Sequence, residues 1–185
     1  EELANLLALD YGAIGLGELY KGDRYVERQV NGWAERYKGS QTDDISDVDQ
    51  AFAWLKERIP ADTGAVLVHN DYKFDNVVLN PDDISKIIGV LDWEMATIGD
   101  PVADLGTMLG YWIEPDDEAM KVVQCFMTTE PGALTRLQLA EIYAARTGRD
   151  ISNILYYYVL ALLKLAVIVQ QIYYRYKQGL THDER

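Results

Sequence analysis

The sequence predicts an α+β fold that is mostly helical and carries a small β element in its middle. Apolar residues recur at helical spacing before Pro60, and the same periodicity returns after Asp100. Between these regions lie three short β-prone runs, at 65–68, 77–79 and 84–91. Because 185 residues are enough for one hydrophobic core, we expect a single domain over residues 1–185.

The helices before the β element are defined by their start and stop signals. Asp23 is predicted to cap the second helix, and Asp43 or Asp44 the third, which Pro60 ends. A glycine-rich loop, 12–22, follows the first helix. The predicted helices are 3–9, 24–38 and 43–60.

The helices after the β element include one that is unusually long and apolar. This helix is predicted over 151–177, and at 1.5 Å per residue it would be about 40 Å long. Its most apolar part, Ile154–Val169, is shorter than the roughly 20 residues that cross a bilayer, and Lys164 interrupts it. We therefore expect a buried helix rather than a membrane anchor. The predicted helices are 101–110, 116–128, 134–147 and 151–177.

Composition excludes some classes of partner. The chain has 17 basic and 30 acidic residues, a net charge of −13, which argues against nucleic acid or an anionic membrane. Cys125 is the single cysteine, so an internal disulfide is impossible and we expect a cytoplasmic protein. The charge pattern does not indicate an oligomeric state.

A chemical signature follows the first predicted strand. His69, Asp71 and Asn76 form the pattern His-x-Asp-x-x-x-x-Asn, and Asp92 follows the third predicted strand. An aspartate beside a hydroxyl group can orient it and accept its proton, which is the role we predict for Asp71. Asn76 and Asp92 offer the hard oxygen ligands that magnesium prefers. The spacing is typical of kinase catalytic loops and predicts phosphoryl transfer, with Mg²⁺, to a hydroxyl acceptor; the family resemblance described below implies ATP as the donor.

Two neighbouring residues are predicted to assist. Lys73 lies two positions after Asp71 and could reach both the nucleotide and the phosphoryl group in transfer. His69 is predicted to pack beneath the loop and support it through hydrogen bonds, without transferring a proton. Taken singly, each residue has a plainer interpretation, such as a turn former, a helix cap or a core histidine. The combination of two loops, each following an apolar strand, favours a functional site.

The chain resembles the aminoglycoside phosphotransferase family, which has a protein-kinase-like fold and is similar to choline kinases. The resemblance rests on Leu67–Asn76, Gly89–Glu94 and Ile98–Leu105. Phe74–Asn76 and Trp93–Thr97 are most similar to the branch related to domains fused with acyl-CoA dehydrogenases. The similarity extends over nearly the whole chain.

The resemblance implies roles for individual residues. Asp71 would be the catalytic base, Asn76 and Asp92 would bind magnesium, and Asp104 would support the catalytic loop through buried hydrogen bonds. Asn70 departs from the family, which commonly has glycine there. Both residue types tolerate left-handed backbone dihedrals, so we expect the loop to keep its shape.

The resemblance also implies a second lobe. Members of the family hold ATP against an N-terminal lobe with a glycine-rich loop, a strand lysine and a helix glutamate. None of these features is visible in the sequence, and the glycines of 12–17 have a different spacing with no strand before them. We therefore expect the C-terminal lobe alone, with the N-terminal lobe as its partner and doubtful activity without it.

Several alternatives remain open at this stage. A pseudokinase-like binding module or an inactive fragment would keep the fold without turnover, and a helical domain could match the motif by coincidence. The acceptor is a small molecule, either an aminoglycoside, a hydroxyacyl thioester, a choline-like compound or another alcohol. An aminoglycoside would favour a pocket lined by carboxylates, and a hydroxyacyl thioester one with apolar and basic groups. Candidate pocket residues are Trp112, Glu114, Asp116, Asp117, Tyr156, Tyr157 and Tyr158.

Overall fold

The fold is known from a computed structural model that describes residues 1–117 and 127–181. Its helices are α1 (Glu2–Leu6), α2 (Tyr25–Ser40), α3 (Ser46–Glu57), α4 (Pro101–Tyr111), α5 (Arg136–Thr147) and α6 (Ile154–Lys177). Its strands are β1 (Val66–Val68), β2 (Val77–Asn80), β3 (Asp83–Val90) and β4 (Thr97–Gly99). This confirms the predicted α+β class, a mostly helical body around a small β element.

The β element consists of two separate antiparallel pairs. Strand β1 pairs with β4, with Leu67 opposite Ile98, and β2 pairs with β3, with Val77 opposite Val90. Strand β4 is not predicted from the sequence, because three residues are too few to show a periodicity. Residues 80–83 form the turn between β2 and β3. The two pairs carry the loops that follow β1 and β3.

The central element of the core is α6, against which α2, α3 and α4 all pack. The helices α4 and α6 approach closely because α4 carries glycines at the contact. A Cβ atom on Gly106 would lie 2.7 Å from Cβ of Tyr157, and one on Gly110 would lie 3.0 Å from Cβ of Ala161. Glycine at these positions therefore sets the distance between the two helices.

Length and composition alone would let α6 cross a membrane, since its most apolar 18-residue window has a mean hydropathy of 1.6. In the fold, 39% of that window is buried, and Lys164 in its middle is buried as well. The sequence predicts a buried helix here, and the packing of α6 against three other helices agrees with that prediction.

Several predicted helix starts need correction. Asp23 does not cap α2, because the backbone amides of Tyr25 and Val26 donate to the carboxylate of Asp62 at 3.0 and 3.3 Å. Asp62 is distant in sequence, so local pattern could not reveal it. Helix α3 begins at Ser46, after both aspartates proposed as its cap. The predicted helix 116–128 and Cys125 lie outside the described residues, in whole or in large part.

We predict that Gly106→Ala destabilises the fold by about 1–3 kcal/mol, the usual range for overpacking a filled core. The added methyl group would meet both the side chain and the backbone of Tyr157, so the helices would have to separate. Urea unfolding followed by circular dichroism measures the change. Gly39→Ala on α2 is the matched control, because a Cβ there meets nothing within 4 Å, and it should be neutral or slightly stabilising. Equal stability of the two variants would contradict the packing argument.

Candidate functional site

The loop after β1 is held by one buried carboxylate. Asp104, in the first turn of α4, has no exposed surface and accepts hydrogen bonds from the amides of His69 (2.8 Å) and Asn70 (2.7 Å). Burial raises the pKa of Asp104, and the two amide hydrogen bonds and the charge of Lys164 oppose that rise. The structure thus places Asp104 where the family resemblance implies a supporting residue.

Asp71 lies at the centre of this loop and is surrounded by hydrogen-bond donors. Nζ of Lys73 and Nδ2 of Asn76 each lie 2.8 Å from its Oδ2, and the hydroxyl of Tyr111 also donates to it. Burial acts to raise the pKa of Asp71, but the hydrogen bonds from Lys73, Tyr111 and Asn76 outweigh it and lower the pKa below the ordinary value. The carboxylate is therefore ionised at neutral pH and 16% exposed.

His69 lies beneath the loop with no exposed surface. Its Nδ1 lies 3.3 Å from the amide of Asp71, and its Nε2 lies 2.8 Å from the carbonyl of Leu91. A backbone amide can only donate and a carbonyl can only accept, so the ring is neutral with its proton on Nε2. The ring also packs on Trp93, with centroids 4.8 Å apart. His69 thereby connects the loop of Asp71 to the turn that follows β3.

Asp92 is brought to the same place by the pairing of β2 with β3. The amide of Leu91 donates to the carbonyl of Asn76 at 2.8 Å, so Leu91 lies opposite Asn76 and Asp92 follows one residue beyond the pair. Asp92 has a left-handed backbone (φ 62°) and an exposed side chain. Asn76 is buried and contacts Asp71 directly. The structure therefore joins the predicted base, Asp71, to Asn76 directly, and it brings the turn of Asp92 next to Asn76 through the backbone of Leu91.

The oxygen atoms of Asn76 and Asp92 fit a magnesium ion that also binds phosphate. Both hydrogen bonds of the Asn76 amide, to the carbonyl and Oδ2 of Asp71, use Nδ2, which leaves Oδ1 as a possible ligand. Within residues 1–117 and 127–181, no group of three or more His, Cys, Asp or Glu side chains is arranged to hold a metal. One amide and one carboxylate match the few protein ligands that magnesium takes when phosphate and water complete its shell.

A cavity of about 970 Å³ opens beside Asp71. Lys73 and Tyr111, which both contact the Asp71 carboxylate, lie on its wall. Most of the remaining lining is apolar and comes from the β2–β3 pair, the end of α4 and one face of α6. These apolar lining residues include Val77, Ile87, Met108, Trp112, Ile113, Leu162, Leu165, Ile168 and Val169.

The other residues predicted to form the pocket do not all line the cavity. Trp112 lines the cavity and packs on Phe74, with ring centroids 5.4 Å apart. Glu114 and Asp117 form ion pairs with Arg136 instead of facing the cavity as free carboxylates. Tyr156 and Tyr157 are buried in the core, and Tyr158 packs beneath the guanidinium of Arg136.

Three residues of the site were not found from the sequence. Tyr25, Tyr111 and Lys164 lie on three different helices and contact the loop through single polar atoms. For Lys164 a signal existed, since a lysine inside an apolar helix face needs a buried partner. For the two tyrosines, helical spacing indicates only core packing.

The helical lobe with its two antiparallel strand pairs, and the loop that carries Asp71, define a kinase-like phosphotransferase fold. The profile of the phosphotransferase enzyme family matches residues 1–138, and the chain belongs to this family. It is similar to a solved protein of Ralstonia eutropha assigned to the aminoglycoside phosphotransferases, with 30% identity, a TM-score of 0.85 and coverage of 98% of this chain and 56% of that one.

Two further proteins are similar to the chain, one in structure and one in sequence. A macrolide 2′-phosphotransferase type I shares the fold at 17% identity, with a TM-score of 0.65 over 98% of this chain and 57% of that one. Acyl-CoA dehydrogenase family member 11 of Rattus norvegicus is 34% identical over 187 aligned residues, which cover 100% of this chain. The chain spans about a quarter of that relative's length, 24%.

We predict that Asp104→Ala destabilises the protein by about 2–5 kcal/mol, because two buried amides lose their acceptor and each unsatisfied donor costs about 1–3 kcal/mol. Thermal and urea unfolding measure the loss. Asp82→Ala, in the exposed turn between β2 and β3, is the control and should change stability by less than about 0.5 kcal/mol. If the two variants unfold at the same urea concentration, Asp104 does not support the loop.

Proposed function

We propose that the chain is the catalytic and acceptor-binding lobe of an enzyme that transfers the γ-phosphoryl group of ATP to the hydroxyl group of a small molecule. One observation carries the proposal. A chain of direct hydrogen bonds joins Asp71, Asn76 and the turn of Asp92, beside a cavity large enough for an acceptor. A base, a metal-binding pair and an acceptor site are the parts that phosphoryl transfer needs.

Asp71 is the base in this proposal. Its lowered pKa keeps it ionised, so it can accept a hydrogen bond from an acceptor hydroxyl and orient that oxygen for in-line attack. The proton passes to its carboxylate as the new bond to phosphorus forms. Lys73 is already within 2.8 Å of the same carboxylate and would hold the phosphoryl group near the acceptor.

Asn76 and Asp92 would hold Mg²⁺ together with the phosphates of ATP. The ion would neutralise charge on the phosphates. The protein would contribute by keeping these two oxygens near Asp71, and the pairing of β2 with β3 through Leu91 and Asn76 supports this role. An N-terminal lobe that covers the nucleotide completes the proposal.

The cavity favours an acceptor with an apolar body. A polycationic aminoglycoside needs several free carboxylates, whereas Asp75 is the one carboxylate among the described residues that line the cavity. Asp71 is paired with Lys73, and Glu114 and Asp117 are paired with Arg136. The aliphatic lining from α4 and α6 gains free energy by covering hydrocarbon. Among the acceptor classes that the sequence leaves open, a hydroxyacyl compound fits this lining best.

The first test replaces Asp71 by asparagine in the protein that includes the N-terminal lobe. Asp71→Asn keeps the shape of the side chain and removes the base, so kcat should fall about 10²–10⁴-fold while circular dichroism stays unchanged. Release of ADP in the presence of an acceptor is the measurement, and EDTA should abolish it in the unchanged protein. Asp82→Asn is the control.

Two outcomes would count against the proposal. Turnover that survives in Asp71→Asn would mean that another group accepts the proton. Nucleotide binding without any turnover, in the presence of a broad panel of alcohols, would favour a pseudokinase-like binding module instead.

The second test concerns the acceptor. Across a series of hydroxy acids of increasing chain length, kcat/KM should rise about three- to fourfold per methylene until the cavity is filled, since each buried methylene contributes about 0.8 kcal/mol. Leu165→Asn should flatten this dependence, because Leu165 lines the cavity. Leu155→Asn, on the exposed face of the same helix, is the matched control. Efficient phosphorylation of kanamycin with no chain-length dependence would contradict an apolar acceptor.

A further inference from the structure

We infer that Asn70 is a positioning residue that couples the loop of Asp71 to the turn of Asp92, and that Tyr25 and Lys164 hold it in place. This inference rests on the proposed function of the two loops. We call the three residues Asn70, Tyr25 and Lys164 the loop clamp. Its task is to fix the metal-binding turn relative to the catalytic base.

The side chain of Asn70 spans the two loops. Its Nδ2 donates to the carbonyl of Met95 at 3.1 Å, and Met95 ends the short 3-10 turn (Trp93–Met95) that begins directly after Asp92. Its backbone belongs to the other loop, one residue before Asp71. One amide group therefore joins the segment of the base to the segment of the metal ligand.

Tyr25 fixes the orientation of that amide. The hydroxyl of Tyr25 donates to Oδ1 of Asn70 at 2.8 Å, which leaves Nδ2 to face Met95. The tyrosine ring is 5% exposed and lies against Gly99 of β4, where an added Cβ would come within 2.6 Å of it. Because the ring cannot move toward β4, its hydroxyl is presented to Asn70 at a fixed point.

Lys164 fixes the backbone. Its Nζ donates to the carbonyl of Asn70 at 2.6 Å, and that carbonyl belongs to the peptide group that leads into Asp71. The lysine is 7% exposed, and burial lowers its pKa while the nearby charges of Asp104 and Asp71 act in the opposite direction. A lysine is costly to bury, so a direct bond to this carbonyl indicates a specific role rather than filling of space.

The side chain of Asn70 is not needed for the backbone shape. Its φ of 65° is left-handed, a conformation that glycine adopts with less strain than asparagine. The amide of Asn70 is already bound by Asp104. The side chain therefore adds a connection between the two loops beyond what the fold of the first loop requires.

Asn70→Gly tests the clamp most directly, because it removes both side-chain hydrogen bonds and relieves the backbone. In the protein with its N-terminal lobe, we expect kcat to fall and the Mg²⁺ concentration for half-maximal rate to rise, each by about 10- to 100-fold, as for other supports of metal ligands. KM for the acceptor should change less than about twofold, because the cavity does not include Asn70. Tyr25→Phe should shift the Mg²⁺ requirement in the same direction by a smaller factor.

Tyr156→Phe is the matched control. It also removes one buried tyrosine hydroxyl that donates to a protein oxygen, the carbonyl of Leu55 at 3.0 Å, away from both loops. A general loss of stability would affect Tyr156→Phe and Tyr25→Phe alike. Only a loss of positioning would raise the Mg²⁺ requirement in Tyr25→Phe alone.

Hydrogen exchange of the 185-residue chain gives a readout that does not depend on activity. In Asn70→Gly, peptides covering residues 67–77 and 90–97 should exchange faster, whereas in Tyr156→Phe they should match the unchanged chain. Unchanged exchange in both peptides of Asn70→Gly would overturn the clamp, and so would an unchanged Mg²⁺ requirement in an active enzyme. If the unchanged protein transfers no phosphoryl group, the proposed function fails, and the exchange experiment still decides the clamp.

Discussion

The site depends on the buried carboxylate of Asp104 and the two backbone amides that it binds. These hydrogen bonds, from His69 and Asn70, fix the direction in which the chain leaves β1. Asp71 follows immediately, so the position of its carboxylate is a consequence of that geometry. A buried carboxylate without partners would be very unfavourable, and here its two oxygens each receive one amide. The same group that stabilises the loop therefore also sets the direction of the proposed base.

Charge around the loop is balanced locally, although the chain as a whole is strongly acidic. Two carboxylates, Asp71 and Asp104, lie close to two ammonium groups, Lys73 and Lys164. The excess of acidic residues behind the charge of −13 therefore lies outside these two pairs, on exposed residues such as Asp75 and Asp92 among others. The proposal of an apolar acceptor rests instead on the described part of the cavity wall, where α4 and α6 contribute mostly aliphatic side chains.

The sequence predicts those parts of the site whose residues are close together in the chain. Asp71, Asn76 and Asp92 follow strands whose apolar pattern is visible, and their approach is set by the local pairing of β2 with β3.

Contacts between distant segments could not be predicted in the same way. Asp62 caps α2 in place of Asp23, and β4 pairs with β1 across about thirty residues. Arg136 forms ion pairs with Glu114 and Asp117, two of the three carboxylates predicted as pocket residues. In each case the partner is chosen by packing of the whole fold, which no local periodicity encodes.

The difference between local and distant contacts also bears on how the site can vary. The proposed base and metal ligands are held by backbone pairing and by Asp104, all within residues 69–104. The cavity wall is built largely by α6 and the end of α4, where Tyr111 also donates to Asp71. Replacing aliphatic wall residues such as Leu162 or Val169 would therefore reshape the cavity while leaving Asp71 in place. Lys164 is the exception on α6, because it reaches past the cavity to the carbonyl of Asn70. Through this one residue, the helix that forms the pocket also contacts the loop that carries the base, so changes in the pocket that shift α6 would be transmitted to Asp71.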